Sequence, residues 1–181
     1  IMETVGPYGK INPPLRPEAD RAAVWAGLFD GTIDFIGTDH APYLVSEKEP
    51  GWREIWKAPS GAHGVETGLT VLLTEIVRGR LTLPMLTRLV SRNVARLFGL
   101  HPRKGELTEG ADADFVLLDL TRRGRIDRMR MQSHSRDAAR LWDGRETMGG
   151  IVATYVRGTE VAREGVPTAQ PGHGNFIAGR S

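Results

Sequence analysis

The chain has 181 residues, 40% of them hydrophobic, which suffices for one good core or two small units and excludes a disordered or low-complexity chain. Lys plus Arg total 24 against 22 for Asp plus Glu, and the basic residues are dispersed, so the pI near 9.2 does not argue for a nucleic-acid partner. No apolar run approaches a membrane span, the first residues lack the plan of a secretory signal, and zero cysteines exclude a disulfide framework or a thiolate metal site, which leaves the cytoplasm as the default location.

The opening runs Val5-Gly6-Pro7-Tyr8-Gly9 and Lys10-Ile11-Asn12-Pro13-Pro14-Leu15-Arg16 read like the middle of a longer polypeptide, and the chain is expected to be a piece of one. Pro17 suits the first turn of a helix, where its missing N–H is no loss; Ala22, Ala23, Trp25, Ala26, Leu28 and Phe29 follow, and Gly31 stops it. The apolar run Ile33 to Thr38, flanked by helices, is predicted as a buried parallel strand of an α/β unit. Residues 41–64 form a long loop, and a helix is predicted from Val65 to Arg78 with Leu69, Leu72, Leu73, Ile76 and Val77 on one face. Thr82 is a plausible N-cap with Pro84 in the first turn of the next helix, whose stripe of Leu86, Leu89, Val90, Val94, Leu97 and Phe98 ends at Gly99.

From residue 105 the pattern changes to short β-like runs between glycine turns. Gly110-Ala111-Asp112-Ala113-Asp114 leads into a strand over Phe115 to Leu120, and Ile151 to Gly158 pairs with Thr159 to Ala162 as a hairpin across Arg157-Gly158. Residues 122–149 carry no clear periodicity and are read as irregular. The organisation is thus a helical part over residues 1–99 and a β module over residues 100–181.

The chemistry concentrates at Asp39-His40-Ala41-Pro42, where the apolar run stops. Ligands gather at the carboxyl ends of parallel strands because loops and helix N-termini converge there. An aspartate in that place can bind a cation or exchange a proton with water. Taken alone, the pair has a plainer reading: Asp39 caps a turn before Pro42 and His40 packs locally.

The surroundings shift that balance. Gly37-Thr38-Asp39-His40-Ala41-Pro42 after an apolar run, preceded by Lys10-Ile11-Asn12-Pro13-Pro14-Leu15-Arg16, followed by Gly64-Val65-Glu66-Thr67 and then by Gly105-Glu106-Leu107 and Gly110 to Asp114, resembles the cyclic amidohydrolases, dihydroorotases most closely. The resemblance covers essentially the whole chain. It implies the last β/α elements of a (β/α)8 barrel over residues 1–99 and an accessory β-sandwich segment over residues 100–181. It implies a binuclear zinc centre, with Asp39 as ligand to one metal and as the acid/base that moves a proton from the attacking hydroxide to the departing ring nitrogen. Asn12 matches a substrate-binding asparagine, and Pro59, Ser60 and Gly61 match a loop against the substrate ring. His40 is assigned a supporting role.

Two departures bear on function. Dihydroorotases usually carry histidine where this chain has Tyr43, and a phenol donates a hydrogen bond to a substrate carboxylate without adding a positive charge. The other ligands in such enzymes are a His-x-His pair, a carboxylated lysine and two further histidines, whereas His40, His63, His101, His134 and His173 include no pair separated by one residue. An N-terminal half of the same enzyme is therefore expected to supply them. Dihydroorotase of pyrimidine biosynthesis is the first reading. A hydantoinase, dihydropyrimidinase or allantoinase is the second, and a catalytically silent homologue acting as a structural partner is the rival from another class. A homodimer is expected by analogy, and no nucleic-acid or membrane partner.

The remaining candidates have ordinary readings. His63 is read as an exposed loop residue, His134 and His173 as surface residues, and Glu47-Lys48-Glu49 as solvated. Trp52 and Trp56 either cover the site or bury against its rim. Arg122-Arg123-Gly124-Arg125 with Arg128 and Arg130 lacks interleaved aromatics and is read as a solvated face.

Overall fold

A computed structural model describes residues 1–179; the last two residues of the expected β module lie outside the described residues. The chain enters through a short helix α1 (Met2–Val5) and a 3-10 turn, Gly6–Gly9, that buries Pro7 and Tyr8. Helix α2 (Glu18–Asp30) starts directly after Pro17. Glu18 and Asp20 stand in its first turn, where free N–H groups favour carboxylates, and it ends at Gly31 in the left-handed conformation, φ 87°.

The segment 33–38 is not a strand. Helix residues occupy its backbone groups instead: Ile36 N–H donates to Leu89 O at 3.1 Å, and Asn93 Nδ2 donates to Asp34 O at 2.6 Å. A parallel strand gains its ladder bonds only from a neighbour delivered by a crossover. Among the described residues no such neighbour exists, and parallel pairing is confined to one isolated bridge between His40 and Ala62.

The long loop after it is built from helical turns: α3 (Val45–Lys48), then 3-10 turns at Glu49–Trp52 and Ile55–Lys57. Helix α4 (Gly68–Val77) follows a turn in which Gly68 N–H donates to Gly64 O, so it begins later than the apolar pattern suggests. Thr82 accepts from Met85 N–H at 3.3 Å and opens α5 (Leu83–Thr87), which continues through a π-helical turn, Arg88–Arg92, into α6 (Asn93–Leu97).

The four strands β1 (Phe115–Arg125), β2 (Glu146–Val156), β3 (Thr159–Arg163) and β4 (Val166–Pro167) form one antiparallel sheet in the order β1-β2-β3-β4. Phe115 and Tyr155 stack across it with ring centroids 4.5 Å apart. The sheet's second layer is a helix: Thr74 Oγ1 on α4 accepts from Met148 N–H at 3.0 Å, and Gly149 lies so close to Leu73 that a Cβ there would meet it at 3.0 Å.

This architecture corrects the expected fold. The chain is a small α/β domain with one open four-stranded antiparallel sheet, neither the last β/α units of a (β/α)8 barrel nor a segment of two packed sheets. The apolar runs after residue 114 are joined by tight turns and pair with one another, while the solitary run at 33–38 has no strand to meet. The core beside the sheet is made by Ile126, Met131 and Ala139, with Val71 of α4 and Trp142 packed against them.

Candidate functional site

Three stretches distant in sequence converge ahead of α4. Gly61 N–H donates to Lys10 O at 3.0 Å, and Ala41 N–H donates to Ala62 O at 3.1 Å. Lys10, residues 40–43 and residues 59–62 are thereby laid side by side, with Asn12 two residues beyond Lys10 and Asp39 next to His40 in the chain.

Asp39 is exposed and stands at φ 43°, in the left-handed region that an L residue adopts at a cost of about 1–3 kcal/mol. The strain sits on the residue whose carboxylate the sequence singles out. Next to it, His40 Nδ1 accepts from Gly64 N–H at 3.0 Å and Val65 N–H at 3.2 Å. Those two bonds hold the turn before α4.

Tyr43 lies against Gly61, where a Cβ would meet Ala41 O at 2.5 Å and the Tyr43 ring at 2.8 Å. No side chain fits at Gly61. Ser60, next to Gly61 in the chain, is exposed, as is Asn12. Trp52 packs its ring over Gly6, whereas Trp56 is 81% exposed, with the Lys10 ammonium 5.4 Å from its ring centre.

Two residues depart from their sequence reading. Lys48, read as solvated, is buried; its ammonium donates to Lys10 O at 3.1 Å, Pro59 O at 2.8 Å and Gly61 O at 2.7 Å. Burial, and secondarily the Lys10 charge, lower its pKa. No local signal marks it, because the carbonyls that bury it come from both ends of the surrounding sequence. His63, read as exposed, is also buried, with Nε2 2.9 Å from Ser135 Oγ, and burial pushes its imidazole pKa down. His134 is exposed as expected. The arginines after residue 121 are largely matched by carboxylates: Arg122 with Glu164, Arg125 with Glu146 and Arg128 with Asp143.

A groove of about 1050 Å³ runs from Pro42 and Tyr43 past Glu66 to Met131, Ser135 and the sheet; Asp39 is outside its lining. The described residues contain no group of three or more His, Asp or Glu side chains placed to hold a metal ion. Asp39 suits a metal as a single oxygen ligand, and the described residues alone do not complete a centre. No helix among them is long and apolar enough to cross a membrane.

The amidohydrolase family model matches residues 12–161. The chain is 40% identical over 99% of its length to an L-hydantoinase from Paenarthrobacter aurescens, of which it spans 39%, and 40% identical over 95% of its length to a dihydroorotase from Methanothermobacter thermautotrophicus, of which it spans 37%. Among solved structures, L-hydantoinase (dihydropyrimidinase) from Arthrobacter aurescens superposes with a TM-score of 0.89 at 39% identity, covering 98% of this chain and 39% of the other. The chain therefore spans about two-fifths of the length of these relatives.

Proposed function

This chain belongs to the amidohydrolase family, and from that premise we propose that the full-length protein hydrolyses a cyclic amide whose ring is a neutral ureide of the hydantoin or dihydropyrimidine type. The observation that carries the ring class is Tyr43 itself. Tyr43 offers a phenol where an acidic substrate needs a cation, and the neighbouring Lys48 ammonium, 5.4 Å from the Tyr43 ring, has its three donors on backbone carbonyls. The L-hydantoinase relative, matched along nearly the whole chain, supports the same choice.

In this reading Asp39 takes a proton from the attacking water and returns it to the ring nitrogen as the C–N bond breaks, leaving an –NH2 end and a carboxylic acid that gives up its own proton to solvent. Asn12 presents a donor and an acceptor to the ureide edge, and the backbone at Pro59, Ser60 and Gly61 lies against the ring with the Tyr43 phenol beside it. Asp39 is proposed as one ligand of a zinc centre completed by residues of the full-length protein outside this sequence; bound zinc would polarise the amide carbonyl and acidify the attacking water. Residues 1–99 hold the reacting groups and residues 100–181 the accessory module. Dihydroorotate is the second reading, favoured by Asn12 ahead of Pro13-Pro14 and by the dihydroorotase relative.

The test is turnover by the zinc-loaded full-length protein on hydantoin, dihydrouracil, allantoin and dihydroorotate. A neutral ring is expected to exceed dihydroorotate by about tenfold or more in kcat/KM. Preference for dihydroorotate selects the second reading, and no turnover of any ring points to the silent homologue. Asp39→Asn is expected to lower kcat by about 100-fold or more; normal activity in that variant places the acid/base elsewhere.

A further inference from the structure

We propose that Lys48 is a positioning residue for the substrate-binding edge of this site, tying the Asn12 segment to the Ser60 segment through one buried ammonium. The inference rests on the reading of Asn12 and the 59–61 loop as substrate-facing. Lys48 is 2% exposed, and the three hydrogens of its ammonium have three carbonyl partners: Lys10 O at 3.1 Å, Pro59 O at 2.8 Å and Gly61 O at 2.7 Å.

The placement of those carbonyls gives the clamp its consequence. Pro59 O and Gly61 O bracket Ser60, so the residue between them is held from both sides. Lys10 O also accepts from Gly61 N–H at 3.0 Å, and Asn12 follows two residues later, so the same junction sets the distance between the two segments. Lys48 closes the one-turn helix α3 just beyond Tyr43, which places the third substrate-facing stretch on the same anchor. Lys10 braces the outer side of the loop by donating to Ile55 O at 3.0 Å and Ala58 O at 2.7 Å.

A buried cation answered by carbonyl dipoles and the Tyr43 ring, with no carboxylate among these partners, is a costly way to hold a loop, since an apolar side chain of like volume carries no desolvation penalty. What the ammonium adds is direction: three converging hydrogen bonds fix the carbonyls, and with them the backbone against which a flat ring lies. A misplacement of about 1 Å at such a surface costs on the order of 100-fold in rate or binding.

The experiment compares Lys48→Met and Lys48→Arg with the wild type in the zinc-loaded full-length protein, reading KM and kcat on the best ring substrate, bound zinc, and hydrogen exchange at the Gly61 amide. Lys48→Met is expected to raise KM by about tenfold or more with a smaller change in kcat, to keep its zinc, and to speed exchange at Gly61. Lys48→Arg keeps the charge, but its planar fork does not match three converging carbonyls, and an intermediate KM is expected. Unchanged KM with unchanged Gly61 exchange in Lys48→Met overturns the proposal, as does a loss of kcat at constant KM. If Lys48→Met does not fold, Lys48→Arg decides: a raised KM supports the role and wild-type KM overturns it. If the wild type hydrolyses no ring, the proposed function falls separately, and unaltered Gly61 exchange in the variants then removes the clamp as well.

Discussion

A neutral imidazole is built into the contact between the loop ahead of α4 and the chain that follows β1. His63 is buried against Ser135, with His40, Glu66 and Lys48 as the titratable groups facing it; burial, then His40, hold its pKa below the ordinary 6.5, with Glu66 opposing. As pH falls, the unfolded chain takes up this proton before the folded one does. Stability is therefore expected to be complete above about pH 6.5 and to decline through the imidazole range, levelling off below the folded-state pKa. Denaturant midpoints at pH 7.5 and 5.5 measure this. His63→Gln, which retains a polar contact for Ser135 without a titrating ring, is expected to flatten the slope, and an undiminished slope would assign it to another group. At this scale the supporting role of His40 is legible because it stands in a short motif, whereas the burial of Lys48 and His63 depends on partners more than ten residues away.

Element boundaries depend on local chemistry, and Thr82 is a clear case. Its side chain accepts Met85 N–H ahead of Pro84, so Thr82→Ala is expected to cost about 1 kcal/mol in equilibrium unfolding, with Thr82→Ser close to wild type. The stop of α2 at Gly31 and the hairpin at Arg157-Gly158 are legible for the same reason: a left-handed turn residue is written at the place that needs it. Other features are not local. The π-helical turn at Arg88–Arg92 breaks the stripe, leaving Leu86, Leu89 and Ala95 buried while Val90, Leu97 and Phe98 are exposed. β1 and β2 extend into residues read as irregular because register shifts at Leu117/Leu118 and Asp119/Arg123 disrupt the alternation. The run 33–38 has strand composition, but composition does not supply a pairing partner.

At the scale of the whole molecule, polar ties run from α4 and the turn ahead of it to β2 and to the chain between β1 and β2. Glu66 accepts from Gln132 N–H at 2.7 Å and from Ser133 N–H at 3.1 Å, while Thr74 bonds to Met148 further along α4. Glu66→Ala is expected to cost about 1 kcal/mol and to speed hydrogen exchange at Gln132 and Ser133 while leaving Met148 protected; unchanged exchange there would show that packing alone seats the loop. The sheet order also places β1 at an edge, bonded to β2 on one side. A long bare edge is a template on which other copies can add strands and grow aggregates. This one is a poor template: Arg122, Arg123 and Arg125 crowd it with long charged side chains, and two breaks in register interrupt its pleat. The basic run, read from the sequence as a solvated face, thus also works against unwanted self-assembly.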